Sequence, residues 1–216
     1  MDPINTHQEW LSNVTGERFT LSAGDVIYIE NDPFNGIFYI EEGCVKMIRE
    51  KTDKQKVILF ANADEFCGLK SYYTDNNRYL FTAAVFSSEC RLVHIPRHEL
   101  LHLMEKSTEF RKKVIKGLCK RIETTEHRIL DFYGHNKKER YIESLLELAL
   151  WKKQNQPNLR DNDIPLDCTL SEFSTITGSS EEYLKKITQQ FNSMGIVALK
   201  ESKVVVTNLN KLKNMI

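Results

Sequence analysis

The sequence predicts an α+β protein in three parts: an N-terminal β-roll, a long dimerisation helix and a C-terminal winged helix-turn-helix. Three observations carry that expectation. Between residues 19 and 95, β-branched and aromatic runs alternate with the turn pairs Gly24-Asp25, Asn35-Gly36 and Glu42-Gly43, the rhythm of an all-β roll or sandwich. Between residues 107 and 133, apolar residues recur at a 3,4 spacing, the period of a helical seam. After residue 168, two S/T-x-x-E sequences stand close together, each the mark of a helix start. The boundaries follow: roll at 1–106, dimerisation helix at 107–134, winged helix-turn-helix at 135–216.

The roll is read from three runs, FTLSAGDVIYIENDPFNGIFYIEEGCVKMI, VILFANADEFCGL and LFTAAVFSSECRLVHIP. Residues 60–80 interrupt the strands with a loop and a short helix. The hydrophobic share of 41% against 28% charged residues is enough to bury a core and argues against disorder. Five scattered cysteines, an odd number without C-x-x-C, suit free thiols in a reducing compartment rather than disulfides or a metal cluster. The start MDPINTHQEW has no signal-peptide pattern, and no apolar run reaches the length of a membrane span, so a cytoplasmic location is expected.

After Pro96, residues 97–104 form a short helix and 107–133 a long one, opened by Ser107 or Thr108 with Glu109 in its first turn. Ile115, Leu118, Ile122, Thr125, Ile129 and Phe132 make its seam. The seam joins two parallel copies of the chain, or it packs on the helix's own domain. Gly134-His135-Asn136 ends the helix, and Asn136 can cap KKERYIESLLELALWKK, with Ile142, Leu145, Leu146 and Ala149 on its apolar stripe. Residues 154–165 are read as a polar loop.

Two short helices follow, opened by Thr169-Leu170-Ser171-Glu172 and Ser179-Ser180-Glu181-Glu182. The first is expected to bury Leu170, Phe173 and Ile176, the second Leu184, Ile187, Phe191 and Met194, with Thr177-Gly178 as the turn. Two helices joined by a tight Gly turn, the second polar on its outer face, form a helix-turn-helix that can enter a major groove. The hairpin VALKESKVVVTN would be its wing. The expected base contacts are Ser180, Glu182, Tyr183 and Lys186; Thr169, Ser179, Lys185, Gln189 and Lys203 are expected towards phosphate. Charge permits this: 10 basic against 16 acidic residues over 1–105 (−6), 8 against 4 over 106–136 (+4) and 12 against 10 over 137–216 (+2). An acidic front leaves the rear to meet a polyanion.

The order of roll, long helix and winged helix-turn-helix resembles the Crp/Fnr family of transcription regulators, that of the cyclic AMP receptor protein and the fumarate–nitrate reduction regulator. The resemblance spans nearly the whole chain. It rests on Gly24-Asp25, GIFYIEEGCVKM, DEFCGL, KKERYIESLLELA and TGSSEEYLKKITQQFNSMGIV. It implies a homodimer on a pseudo-palindromic operator in double-stranded DNA, RNA polymerase as a further partner, and no enzymatic activity. Family recognition helices commonly carry R-E-x-x-x-R; here Glu182 and Lys186 match the Glu and the second Arg, while Glu181 replaces the first. That implies a different operator, or Glu181 serves the helix dipole alone.

The family's effector pocket resembles F-G-E followed about ten residues on by R-S, with a Thr from the long helix. Gly68, Arg78 and Thr125 match, the Arg one residue early. Leu69 stands for the Glu and Tyr79 for the Ser. Leucine cannot accept from a ribose hydroxyl, so gating by cyclic AMP in the family's usual way is not expected; a cyclic-nucleotide-responsive regulator with an altered pocket is the alternative. Arg78 holds another anion or is a surface residue. No cofactor is expected, and the effector is unknown.

One motif points to another class. His98-Glu99-Leu100-Leu101-His102 is H-E-x-x-H, which on a helix can bind zinc with Glu as general base. It falls on the connector helix after the roll, so no metal site is expected and a zinc-dependent hydrolase is the alternative of another class.

Overall fold

The structure, a computed structural model, describes residues 9–12, 14–51 and 54–215. The chain divides into two compact units, the main boundary falling within the long helix between Thr125 and Glu126, with residues 56–58 grouped with the second unit.

In the first unit the order is α1 (Glu9–Ser12), β1 (Arg18–Ser22), β2 (Val26–Tyr28), β3 (Gly36–Glu42), β4 (Cys44–Lys51), β5 (Lys54–Asn62), β6 (Phe66–Cys67), α2 (Leu69–Tyr72), β7 (Thr82–Val85), β8 (Glu89–Pro96), α3 (Arg97–Lys106) and α4 (Thr108–Gly134). Two four-stranded sheets, ordered β1-β8-β3-β6 and β2-β7-β4-β5, make the roll. The central pair β3–β8 is antiparallel, with Phe38 opposite His94 and Ile40 opposite Leu92. The core of this unit holds Ile37, Ile40, Met47, Leu92 and Ile95, all buried in one cluster. Trp10 closes one end, with ring centroids 5.0–5.8 Å from Phe110, Tyr39 and Phe66. Offset and edge-on ring pairs of this kind add to the burial itself.

Helix α4 is amphipathic in two senses. Phe110 and Val114 are fully buried in the core, and Leu118 is half-buried against it. Leu118 therefore belongs partly to its own domain, unlike the other apolar seam residues Ile115, Ile122 and Ile129, which are 57%, 58% and 52% exposed. The side chain of Phe132 lies outside those described.

The second unit holds α5 (Lys137–Asn155), β9 (Ile164–Thr169), α6 (Leu170–Thr177), α7 (Glu181–Ser193), β10 (Val197–Lys200), β11 (Lys203–Val206) and α8 (Leu209–Lys213). Asn136 caps α5 through a full capping box with Glu139. Strands β10-β11-β9 form one antiparallel sheet. Strand β9 begins at Ile164, inside the stretch read as loop. Its alternate residues Ile164, Leu166 and Cys168 are fully buried, a period-2 pattern that intervening Pro165 and Asp167 mask in the sequence. Helices α1 and α8 were not expected; both are short.

Candidate functional site

The helix-turn-helix is built from caps. Thr169 opens α6 with a complete capping box to Glu172. Gly178 closes it at φ 63°, the left-handed conformation that a side chain disfavours. The second box is shifted by one residue from expectation. Ser180, not Ser179, caps α7, its Oγ accepting from Tyr183 N at 3.3 Å. Two adjacent serines fit the same pattern, and the left-handed Gly178 turns Ser179 inward.

Helix α7 presents two faces. Leu184, Ile187, Thr188 and Phe191 are buried. Tyr141 of α5 shares a hydrogen bond of 2.8 Å with Thr188, whose hydroxyl reaches Leu184 O at 2.8 Å, and burial pushes the Tyr141 phenol up to about 12. This inner face differs from expectation at its ends. Thr177 replaces Ile176 in the core of α6, and Met194, the C-cap of α7, is 52% exposed. On the outer face Ser180, Glu181, Glu182, Lys185, Lys186 and Gln189 are exposed. Tyr183 is half-buried, and Lys137 Nζ stands 5.8 Å from its ring centroid.

The residues expected towards phosphate divide. Lys185 and Gln189 are exposed on α7. Thr169 Oγ1 is committed to Glu172, accepting from its N–H at 3.2 Å and donating to its carboxylate at 3.1 Å. Ser179 is 6% exposed and its buried Oγ has no partner, so its hydroxyl does not reach the surface. Lys203 is exposed in the wing but pairs with Asp167 at 3.5 Å, and neighbouring Lys200 pairs with Asp163 at 2.8 Å. The hairpin turns at Glu201 and Ser202, with φ 49° and 67°, the paired left-handed residues of a two-residue hairpin loop.

The expected pocket residues are only partly brought together. Gly68, Leu69 and Tyr79 meet: a Cβ on Gly68 would lie 3.3 Å from Tyr79 Cε1, and Leu69 and Tyr79 are 3% and 2% exposed. The Tyr79 ring stacks on Tyr28 at 3.9 Å between centroids. Its hydroxyl lies in hydrogen-bonding reach of Gly36 O (2.9 Å) and of Asn35 Oδ1. Arg78 points elsewhere, donating from Nη1 to Asn31 O at 2.6 Å on the surface. Thr125 is exposed, and its hydroxyl donates to Arg121 O at 2.8 Å. Arg121, not singled out in the sequence, reaches Phe66 O at 2.9 Å, beside the buried Tyr28 and Cys67. Burial raises the Tyr28 phenol well above its ordinary value and pushes the Cys67 thiol up to about 12. One helical turn before the matched Thr125 was the signal for Arg121.

In the H-E-x-x-H sequence, His98 and His102 are exposed on α3 while Glu99 is buried. Glu99 Oε1 accepts from Thr15 N at 2.6 Å and Thr15 Oγ1 at 3.1 Å, a structural bond rather than a base poised on a metal. Among the described residues no three His, Cys, Asp or Glu side chains are grouped to hold a metal ion. Nor is any described helix long and apolar enough to cross a membrane.

Residues 18–107 match the cyclic nucleotide-binding domain. The chain is 22% identical over 191 residues to the CRP-like cAMP-activated global transcriptional regulator of Mycobacterium tuberculosis, covering 88% of this chain and 83% of the relative. Among solved structures, a Crp/Fnr-family transcriptional regulator from Thermus thermophilus superposes with a TM-score of 0.75 at 20% identity, covering 92% of this chain and 97% of that one. The c-di-GMP-responsive global regulator of Xanthomonas campestris gives 0.73 at 17% identity, covering 89% and 94%. A cyclic nucleotide-binding fold followed by a helix-turn-helix unit defines the class. Within it, the chain's likeness in sequence and in fold is to regulators of the Crp/Fnr type.

Proposed function

We propose that the chain is a sequence-specific DNA-binding regulator that acts as a homodimer on a pseudo-palindromic operator, with α7 as the helix that enters the major groove. The observation that carries this is the division of α7: four residues hold it to its domain while Glu182, Lys185, Lys186 and Gln189 stay exposed. Glu182 can accept from a cytosine amine and Lys186 can donate to guanine acceptors. Ser180 and Tyr183 flank them, Tyr183 steadied by Lys137. Lys185 and Gln189 serve phosphates; Lys203 would do so by exchanging Asp167 for phosphate. RNA polymerase is the further partner of the DNA-bound dimer.

The roll is proposed to act without cyclic AMP. The Mycobacterium tuberculosis relative is described as cAMP-activated, but here Tyr79 packs over Gly68 and Leu69 supplies no acceptor for a ribose hydroxyl. The stacked Tyr28 and Tyr79 rings fill the space beside that loop.

Selection of bound duplexes from a random library at fixed salt tests the DNA-reading claim. Enrichment of a two-fold-symmetric site, its half-sites about 34 Å apart, is the expected outcome. No enriched site would refute α7 as a DNA reader in this state.

A further inference from the structure

We propose that Lys113, Lys120 and Arg121 are positioning residues: they clamp α4 to the β5–β6 turn of the first unit and so fix which face of the helix is offered to a second copy. The inference rests on the homodimer proposed above. Three consecutive residues of the turn meet three bases of one helix. Lys113 pairs with Asp64, Lys120 Nζ lies 2.5 Å from Glu65 Oε1, and Arg121 Nη2 donates to Phe66 O at 2.9 Å. Positions seven and eight apart lie within about 100° of one another around a 3.6-residue helix, so one side of α4 carries all three bonds.

The turn is a fixed platform. Asp64 N donates to Ile40 O at 2.8 Å and Ile40 N to Glu65 O at 2.9 Å, which ties it to β3. Its two carboxylates are held from behind as well: Tyr39 Oη donates to Asp64 Oδ1 at 2.8 Å, and Asn62 N to Glu65 Oε2 at 3.1 Å. The helix, by contrast, is otherwise held by Phe110 and Val114, buried in the core, and apolar burial is non-directional. It would tolerate a rotation of α4 about its own axis. Charge-assisted bonds to a fixed turn are directional and resist that rotation. Lys113 and Lys120 each stand two residues before Ile115 and Ile122, roughly half a turn away on the opposite side of the helix. The clamp therefore faces the roll while Ile115 and Ile122 stay exposed, and the 27-residue helix runs unbroken to Gly134, with Ile129 repeating the exposed apolar position. Exposed ion pairs add little to stability, which separates orienting the helix from holding the fold together.

The test uses the full chain and a reporter already in place. Cys119 is exposed on α4 between Ile115 and Ile122, and the other four cysteines are buried. A nitroxide on Cys119 gives the distance between two copies, and its spread, by pulsed dipolar electron resonance. Sedimentation of the unlabelled chain gives the dimer constant, and thermal unfolding the stability. Lys120→Met with Arg121→Met is expected to shift the melting temperature by no more than about 4 °C. The same pair should broaden or displace the Cys119 distance distribution and weaken the dimer about fivefold or more. The conservative pair Lys120→Arg with Arg121→Lys, which keeps a charged donor at each position, should return both to the parent values. A methionine pair with the parent distribution and dimer constant would overturn the proposal. So would a conservative pair as defective as the methionine pair, because the loss would then not follow the charged bonds. A parent chain that sediments as a monomer and gives no dipolar coupling would refute the homodimer itself, and the clamp's role with it. None of these readouts involves DNA, so they leave the reading of α7 to its own test.

Discussion

Tyr79 concentrates much of the roll's chemistry in one side chain. Its ring is buried on Tyr28, its hydroxyl is held by Gly36 and Asn35, and burial raises its phenol to about 12. Tyr79→Ser removes the ring and leaves a cavity; by analogy with buried aromatic deletions the loss is about 3–5 kcal/mol, read by urea unfolding. A loss below about 1 kcal/mol would mean that the ring is loosely held. Cys67 and Cys90 are likewise raised to about 12 by burial. The unfolded chain loses these protons first, from its ordinary thiol and phenol values of 9.0 and 10.0. It therefore binds fewer protons than the folded chain between pH 9 and 12, and stability must fall as pH rises through that window. His94 works in the opposite direction: burial lowers its pKa from 6.5, so its contribution is lost as pH falls below that value. Denaturant midpoints measured across pH would show a fall on both sides; a midpoint still rising between pH 9 and 12 would contradict the burial of these groups.

At the scale of elements, local signals were the readable ones. Asn136 appears as the cap it was read to be, with Glu139 completing a box that was not read, and the Thr169–Glu172 box appears as read. The Ser179–Ser180 pair was ambiguous because either serine fits the capping pattern in the sequence; in the structure Ser180 caps α7 and Ser179 Oγ is buried without a partner. Strand β9 was missed because its burial alternation depends on β11 lying beside it. The closure around Tyr79 was illegible for a related reason: a Tyr in place of a Ser shows that the residue changed, not that its ring turns inward. Glu99 was legible as part of a motif, but its bond to Thr15, 84 residues away, was not. Gly178→Ala should destabilise the second unit by about 1–2 kcal/mol, since alanine is strained at φ 63°. In the wing, Glu201→Asn with Ser202→Gly should raise the melting temperature by relieving two positive-φ residues, worth about 1 kcal/mol together; an unchanged value would place the turn outside the cooperative unit. On DNA, Lys186→Ala should cost about 1–3 kcal/mol at one base pair and relax preference there. Full discrimination by that variant would remove Lys186 from the proposed reading set.

At the scale of the molecule, the exposed Ile115, Ile122, Ile129 and Leu130 on α4 are the apolar surface that a second copy would cover. Ile122→Glu places a charge on that stripe and should shift the protein to monomer in sedimentation, with loss of binding to a two-fold site. A variant that stays dimeric would move the interface elsewhere. The central claim is that a roll already filled by its own tyrosines leaves DNA binding independent of cyclic AMP. It is tested most directly by the affinity of the purified chain for its selected duplex, at fixed salt, with and without saturating cyclic AMP. The account predicts the same Kd in both; a tightening of about tenfold or more with the nucleotide would contradict it.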